Sequence, residues 1–203
     1  MKVLQATIDN INVAANVIKN GGIVVFPTDT VYGIGCDLHN ADAVDRIYNL
    51  KGRPSSMPLI AMFSSIEDYH SLTDQSYPNA EKYMYKWWPG ALTIILPSKK
   101  ELPQRVIAGG NTIGMRIPAH NITIALLAEV GLPMATTSAN LSGLSSTCNV
   151  GEVIQSLGMN TNVDIILDGG NTPGGIPSTL LDCTKNPPAI LRSGDITAEM
   201  LGL

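Results

Sequence analysis

Eight short apolar segments constrain the fold of this chain more than any other feature of its sequence. They are rich in β-branched residues, and most are bounded by glycine, proline or polar residues, a pattern that favours β-strands. The segments cover residues 22–27, 58–63, 91–97, 112–118, 133–139, 163–170, 178–183 and 189–194. Because a strand must pair its backbone groups, most of these segments are expected to join one sheet.

Helical patterns separate the predicted strands. Asp9 or Asn10 is predicted to cap a first helix that ends at Lys19, before two glycines. Further helices are predicted over 41–50, 78–87, 121–130 and 150–157, with a short one from Thr197. Strands and helices are mixed without strict alternation. The sequence therefore predicts an α/β (α+β) fold, a single domain over residues 1–203 with a twisted, mixed β-sheet flanked by helices.

Composition excludes several classes of protein. The net charge is −4 and only 15% of residues are charged, so the whole surface should not condense on nucleic acid or an anionic membrane. Any anion site must then be local. The amino terminus lacks the uninterrupted apolar run of a signal peptide or membrane span, so a cytoplasmic location is expected. Three scattered cysteines and three scattered histidines predict neither a disulfide framework nor a metal site.

The segment LKGRPSSMPLI, residues 50–60, places two cations where a helix gives way to a strand. In the last turn of that helix, Lys51 would complement the helix dipole, and Gly52 can adopt the left-handed cap. Proline disfavours helical geometry at Arg53, and residues 46–66 contain no carboxylate to pair with it. We expect both cations to lie at an exposed junction and to contact phosphate oxygens through charge-assisted hydrogen bonds.

A third cation without a nearby acid is Arg116, in the segment NTIGMRIPAH. No acidic residue occurs between Glu101 and Glu129. The planar guanidinium suits a carboxylate, so an amino acid is one expected partner. An edge-strand arginine that extends into solvent is the alternative.

Polar side chains follow two of the predicted strands. At the end of the strand at 133–139 they form the segment MATTSANLSG, which contains Thr136, Thr137, Ser138, Asn140 and Ser142. After the strand at 22–27 they form FPTDTVYGIG, which contains Thr28, Asp29, Thr30 and Tyr32. Such clusters commonly cap turns. They are also candidates for a ligand site, because ligands of open α/β sheets gather outside strand ends.

Together these segments resemble the YrdC/Sua5 family of threonylcarbamoyl-AMP synthases. The resemblance covers nearly the whole chain and rests on GGIVVFPTDTVYGIG, KGRP followed by PLI, WWPGALTIILP, TIGMRIP, TTSANLSG, STLLD and ILRSG, in that order. It implies a YrdC-like fold in the short, single-domain form. It also implies an enzyme that converts L-threonine, bicarbonate and ATP into threonylcarbamoyl-AMP and pyrophosphate, for the N6-threonylcarbamoyladenosine of transfer RNA.

The resemblance further implies site residues and partners. It assigns Lys51, Arg53, Ser138 and Asn140 to the catalytic KxR and SxN sets around the nucleotide phosphates. To the ATP site it adds Met57, Thr112, Ser146 and Arg192, and to the threonine site Thr30, Tyr32, Met62, Arg116, Thr136 and Ser178. Mg²⁺ is expected to arrive with ATP, without a resident metal site. Downstream tRNA threonylcarbamoyl transferase proteins are the expected partners, and neither a membrane nor stably bound nucleic acid is expected.

Two positions depart from the family pattern. Many relatives carry histidine at the position of Met62 and a polar residue at that of Met57, so these departures concern one contact to threonine and one near the nucleotide and leave the signature sets intact. An RNA-binding module of the same fold without ATP turnover is one alternative, with a basic surface formed by Lys51, Arg53, Lys99, Lys100, Arg105 and Arg116. The acidic net charge and only two phenylalanines count against it. A paralogue without the signature residues is disfavoured by the presence of both KGR and SAN.

Overall fold

All ten strands join one mixed β-sheet in the computed structural model, which describes residues 1–159, 161–173 and 175–203. The strands are β1 (Lys2–Gln5), β2 (Val24–Phe26), β3 (Gly33–Asp37), β4 (Ile60–Met62), β5 (Leu92–Pro97), β6 (Thr112–Arg116), β7 (Met134–Ser138), β8 (Ile165–Asp168), β9 (Thr179–Asp182) and β10 (Ala189–Arg192). Their order is β1-β8-β2-β3-β7-β4-β6-β5-β9-β10, with parallel pairs such as β4–β6 and antiparallel pairs such as β3–β7. The predicted fold class is confirmed.

Helices flank the sheet where the sequence predicts them. They are α1 (Ile8–Lys19), α2 (Ala41–Lys51), α3 (Pro78–Trp87), α4 (Asn121–Val130), α5 (Val150–Leu157) and α6 (Ala198–Leu201), with a 3₁₀ turn at Ile66–Ser71. The predicted cap of α1 is wrong. The cap is Thr7, whose Oγ1 accepts a hydrogen bond from the Asn10 backbone N–H at 3.3 Å. The side-chain oxygens of threonine, aspartate and asparagine can all cap the N-terminus of a helix, so the sequence around this turn was compatible with more than one cap residue.

Two strands were not predicted. The edge strand β1 is mostly exposed and polar, so it lacks a hydrophobic signal. The central strand β3 contains Gly33 and Gly35, which disfavour strands in isolation. Tertiary packing explains the second glycine, because a Cβ at Gly35 would lie 2.9 Å from side-chain carbons of Met134 and Thr136. The small residue allows β3 and β7 to pair beneath these two side chains.

Alternate strand residues face two different cores. One face packs on α2, α3 and α5 and includes Val25, Ile34, Ala61, Ile94, Met115, Ala135 and Ile166. The opposite face packs on α1 and α4 and includes Val24, Phe26, Met62, Met134, Ile165 and Leu167. This second face is the one that carries the cavity described below. No helix in the described parts of the chain combines the length and the apolar composition needed to cross a bilayer.

Candidate active site

A cavity of about 460 Å³ opens on the sheet face that α1 and α4 partly cover. Its floor is formed by alternate residues of three adjacent strands. Ile60 pairs with Gly114 of β6 and with Thr136 of β7, and Met62 pairs with Arg116. Because side chains two apart share one face of a sheet, these residues all line the cavity.

The cavity brings together residues that are far apart in the sequence. All of the predicted ATP- and threonine-site residues except Tyr32 line it: Thr30, Lys51, Arg53, Met57, Met62, Thr112, Arg116, Thr136, Ser138, Asn140, Ser146, Ser178 and Arg192. They come from the turn after β2, the end of α2, strands β4, β6 and β7, the loop after β7, and the region of β9 and β10. Separate cationic and hydroxyl-bearing segments therefore converge on one space.

Tyr32, which was predicted for the threonine site, lies outside the lining of this cavity. The residue is fully buried and does not line the cavity. Its hydroxyl donates a hydrogen bond to the carbonyl oxygen of Gly170 at 2.7 Å and accepts one from the Gly169 N–H at 3.2 Å. Burial raises the pKa of this hydroxyl. Tyr32 thus joins the turn after β2 to the turn after β8, and its side chain supports the fold.

Arg53 follows a left-handed helix cap, as predicted. Gly52 has φ +57° and ψ +36°, and the Arg53 backbone N–H donates to Tyr48 O at 3.0 Å. The guanidinium donates from Nε to Met57 O at 3.0 Å and from Nη2 to Pro58 O at 2.7 Å. Within the described residues, Arg53 forms no salt bridge with a carboxylate. Its positive charge is therefore available to an anion in the cavity.

Lys51 is not at an exposed junction, and this expectation is wrong. The residue is 2% exposed, and its Nζ donates to the backbone carbonyl oxygens of Ser138 and Asn140. Burial, with a smaller contribution from the charge of Arg53, lowers the pKa of Lys51 to about 7. Because α2 ends against the loop after β7, the lysine stem is almost fully buried beside the cavity.

We expect Lys51 to make the free energy of unfolding depend on pH between about 7 and 10.5. These are the pKa values of the Lys51 ammonium group in the folded and in the unfolded chain. In this window the unfolded chain binds the Lys51 proton and the folded chain does not, so stability rises with pH. Urea denaturation of wild type and Lys51→Met at several pH values isolates this contribution. The unfolding free energy of wild type minus that of Lys51→Met should increase by about 1–3 kcal/mol from pH 7 to pH 10. A difference that is constant with pH would contradict the lowered pKa.

Arg116 has a carboxylate partner that the sequence did not reveal. Its Nη2 donates to Asp29 Oδ1 at 2.6 Å, and the two side chains are 3% and 13% exposed. Nη1 donates to Thr30 Oγ1 at 3.1 Å and Nε to Gly90 O at 2.9 Å. A guanidinium has five N–H groups, so two remain for a ligand carboxylate. Asp29 is therefore a site residue whose partner only the folded chain identifies.

Arg192 and Ser178 lie together on another wall. Nε and Nη2 of Arg192 donate to Ser178 O at 3.1 and 2.9 Å, and the Ser178 hydroxyl lies 2.8 Å from that of Thr93. Burial lowers the pKa of Arg192, and the positive charges of Arg116 and Arg53 lower it further. Three guanidinium groups are therefore close enough to repel one another across one cavity, an arrangement that an anion would stabilise.

The loop after β7 has a defined but incompletely paired structure. Asn140 donates both amide hydrogens to backbone carbonyls, those of Leu141 and Leu144, at 2.9 Å each. With this orientation the amide shapes the turn and leaves no N–H for a phosphate. Asn140 Oδ1 and Ser142 Oγ are buried, with no hydrogen-bond partner in the described part of the chain. The loop therefore depends on neighbouring residues for its conformation.

The cavity is cationic in an acidic protein. Four of its lining residues are basic, namely Lys51, Arg53, Arg116 and Arg192, and none of the described lining residues is aspartate or glutamate. The chain as a whole carries a net charge of −4. The charge distribution matches the local anion site that the composition required. Groups of three or more histidine, cysteine, aspartate or glutamate residues that could hold a metal are absent from the described residues.

Sequence reasoning missed part of the cavity wall. Ile60, Gly114, Pro177 and Leu180 line the cavity but carry no chemical signal in the sequence. Strand alternation could have found Ile60 and Gly114, because each lies two residues from a predicted site residue in the same strand. The remaining two depend on how the strands and loops pack.

Comparison with known proteins identifies relatives of this chain. The family model Sua5_yciO_yrdC, described as "Telomere recombination", matches residues 16–194. The chain is 43% identical over 189 residues to "Threonylcarbamoyl-AMP synthase" of Bacillus subtilis, an alignment that covers 93% of this chain and 54% of the relative. The chain thus spans about half the length of curated relatives such as this one.

Two solved structures with the same fold differ in the share of their own length that this chain covers. Pyrococcus abyssi Sua5 complexed with L-threonine has a TM-score of 0.92 and 36% identity, over 98% of this chain and 58% of that one. Escherichia coli YciO has a TM-score of 0.84 and 29% identity, over 97% of this chain and 96% of that one. The described fold is therefore shared by a longer and by a similarly long protein.

Proposed function

Because the chain belongs to the Sua5/YciO/YrdC family, we propose that it is an L-threonylcarbamoyladenylate synthase, which forms threonylcarbamoyl-AMP and pyrophosphate from L-threonine, bicarbonate and ATP. The observation that carries the proposal is the cavity itself. It combines cationic groups that have no carboxylate partner among the described residues with a separate arginine whose remaining donors suit a carboxylate. The relative of known structure that binds L-threonine supports the second substrate.

The nucleotide phosphates would bind at the end of the cavity that contains Arg53 and Arg192. Neither arginine has a carboxylate partner among the described residues, so their charge is not neutralised before ATP arrives. Charge-assisted hydrogen bonds to phosphate are each worth about 1.5–3 kcal/mol. We assign Lys51, Ser138, Asn140, Thr112, Ser146 and Met57 to the same end, as residues that line the cavity around it.

Threonine would bind at the end that contains Arg116. Its two uncommitted N–H groups suit the substrate carboxylate, while Asp29, Thr30 and Gly90 hold the guanidinium in one orientation. Thr30 and Thr136 supply hydroxyl groups nearby, and Ser178 supplies another where this end meets the wall that carries Arg192. Met62 is 6% exposed and provides an apolar surface that suits the substrate methyl group. Discrimination of one methyl in an apolar pocket is worth only about 1–3 kcal/mol, so we expect some reaction with serine.

The reaction needs positioning and charge stabilisation, and it requires no covalent nucleophile from the protein. The threonine amine combines with bicarbonate, with loss of water, to form a carbamate. A carbamate oxygen then attacks the α-phosphorus of ATP, and the bond between the α-phosphorus and the bridging oxygen of the β-phosphate breaks. Pyrophosphate leaves with the electron pair. Cationic side chains at the phosphate end stabilise the negative charge that develops on it.

Magnesium fits this site as part of the nucleotide substrate. The cavity offers hydroxyl groups but no carboxylate among its described lining residues, so it cannot form a cage of acidic ligands. Mg²⁺ would be held mainly by phosphate oxygens and water. When bound, it would neutralise phosphate charge together with Arg53 and Arg192.

We place the enzyme in the cytoplasm, upstream of tRNA threonylcarbamoyl transferase proteins. Cys36, Cys148 and Cys183 are all free thiols, as is usual in a reducing compartment. The product is a mixed anhydride that reacts readily with water, so a transferase must consume it to modify tRNA. The surface outside the cavity carries a larger negative charge than the net value of −4, which opposes stable RNA binding.

The geometry does not favour the RNA-binding alternative. Lys51 and Arg116 are only 2% and 3% exposed, so neither can contribute to an outer basic surface. Arg105 pairs with Asp45 at 2.7 Å and stacks on the ring of Tyr48. Three members of the predicted basic surface are therefore withdrawn from it, two of them by burial and one by pairing with an acid.

Direct detection of the product tests the proposal. We expect the protein, incubated with ATP, Mg²⁺, L-threonine and ¹³C-bicarbonate, to yield threonylcarbamoyl-AMP that mass spectrometry detects with one added mass unit. Omission of threonine or bicarbonate should abolish both the product and the release of pyrophosphate. Pyrophosphate release that needs neither substrate would indicate simple ATP hydrolysis and contradict the proposal, as would the absence of turnover.

A further inference from the structure

Lys51 makes contacts that a phosphate ligand does not need. Its ammonium group has three N–H donors, and two are directed to the backbone carbonyls of Ser138 and Asn140. A bond runs in the opposite direction as well, because the Ser142 N–H donates to Lys51 O at 2.9 Å. The last residue of α2 is thus joined to both ends of segment 138–142.

Segment 138–142 needs such support. It begins at the end of β7, where regular strand pairing stops. Within it, Asn140 Oδ1 and Ser142 Oγ are buried and lack a partner among the described residues, and each such group costs about 1–3 kcal/mol. Hydrogen bonds from a charged donor, worth about 1.5–3 kcal/mol each, can offset this cost.

The neighbouring cation behaves differently. Arg53 directs Nε and Nη2 to the carbonyls of Met57 and Pro58, on its own side of the cavity. Its contact with β7 is a hydrogen bond from Nη1 to Thr137 Oγ1 at 3.4 Å. Lys51 is also far less exposed, at 2%. The two cations of the KGR segment therefore hold different parts of the site.

We propose that Lys51 is a positioning residue, whose ammonium group clamps segment 138–142 so that Ser138 and the loop after it face the nucleotide phosphates. The residue acts on the nucleotide chiefly through this loop, with one N–H left for the cavity. A neutral amine could still donate to both carbonyls, so the lowered pKa of Lys51 is compatible with this role. The order of the loop is independent of the proposed function, whereas its effect on ATP rests on that function.

Hydrogen exchange of the ligand-free protein tests the clamp without any substrate. We expect Lys51→Met, which keeps an apolar stem, to speed exchange of the amides in peptides covering residues 138–147 by about tenfold or more. Arg53→Met is the matched variant, because it removes the adjacent charge but not the two carbonyl bonds, and it should leave these peptides at the wild-type rate. Unchanged exchange in Lys51→Met, together with weakened ATP binding, would overturn the proposal and make Lys51 a direct phosphate ligand.

Acylation of lysines in the wild-type protein provides a test that does not require a folded variant. The clamp predicts that Lys51 reacts more slowly than Lys185, whose side chain is 61% exposed, and at the same rate with and without ATP. Burial and the two carbonyl bonds should keep the reagent from the amine even though the lowered pKa leaves it partly neutral. Rapid acylation of Lys51 that ATP prevents would overturn the proposal, because it would show an accessible amine that the nucleotide covers. If the protein does not form threonylcarbamoyl-AMP but hydrogen exchange and acylation give the expected results, the clamp is supported. Only the identity of the ligand that binds beside segment 138–142 would then change.

Discussion

Replacement of Arg53 by alanine is expected to lower threonine- and bicarbonate-dependent release of pyrophosphate by about 100- to 1,000-fold. The guanidinium lines the cavity without a carboxylate partner among the described residues, so its charge serves the ligand. In the proposed reaction, negative charge grows on the departing pyrophosphate, and a fixed cation stabilises this charge more than it stabilises bound ATP. The loss should therefore appear mainly in kcat.

The fold should survive this change. Arg53 is only partly buried, and the carbonyls of Met57 and Pro58 that it contacts belong to exposed residues that water can reach. We expect the free energy of unfolding to fall by no more than about 2 kcal/mol. Arg105→Ala is the matched control, since Arg105 lies outside the cavity and should leave turnover near wild type. Normal turnover in Arg53→Ala, measured in a coupled pyrophosphate assay, would refute the phosphate role.

Replacement of Arg116 by methionine should have the largest effect on stability. It would leave the carboxylate of Asp29 buried without the partner that now lies 2.6 Å away. Removal of one member of a buried ion pair costs about 3–5 kcal/mol, a large part of the 5–15 kcal/mol that stabilises a typical domain. Urea denaturation should show this loss. Threonine binding should also disappear, because the two free N–H groups are removed.

A double-mutant cycle separates the ion pair from other effects. In an Asp29→Asn background, Arg116→Met should cost about 2–3 kcal/mol less than in wild type, because no buried charge is left behind. The pair formed by Arg105 and Asp45 has a similar distance of 2.7 Å but side chains that are 33% and 56% exposed. Arg105→Ala should therefore cost no more than about 1 kcal/mol. Additive effects of Asp29→Asn and Arg116→Met would show that the buried pair is not coupled.

Local chemistry made much of the candidate site predictable. Arg53 had no acid within reach along the chain, and the structure leaves it without a carboxylate partner in its described part. Gly52 adopts the left-handed cap because the helix must end before Pro54. In such cases the deciding interactions lie within a few residues, so the sequence contains all of the required information.

The failures share one physical cause. Asp29 and Arg116 are distant in the sequence, and their pairing depends on how the turn after β2 meets β6. The burial of Lys51 likewise depends on a loop almost ninety residues away, whose carbonyls accept its hydrogen bonds. The same holds for Tyr32, whose hydroxyl finds its partners in the turn after β8.

From the sequence alone, the class of fold and the kinds of group that the site would contain could be determined, because periodicity, caps and uncompensated charge are local properties of the chain. Which cation lacks a carboxylate partner in the described residues, which one contacts loop carbonyls and which one is paired with an acid were decided only by tertiary structure. Burial and electrostatic pairing are set by neighbours in space, and the mixed order of the ten strands brings those neighbours from remote parts of the chain.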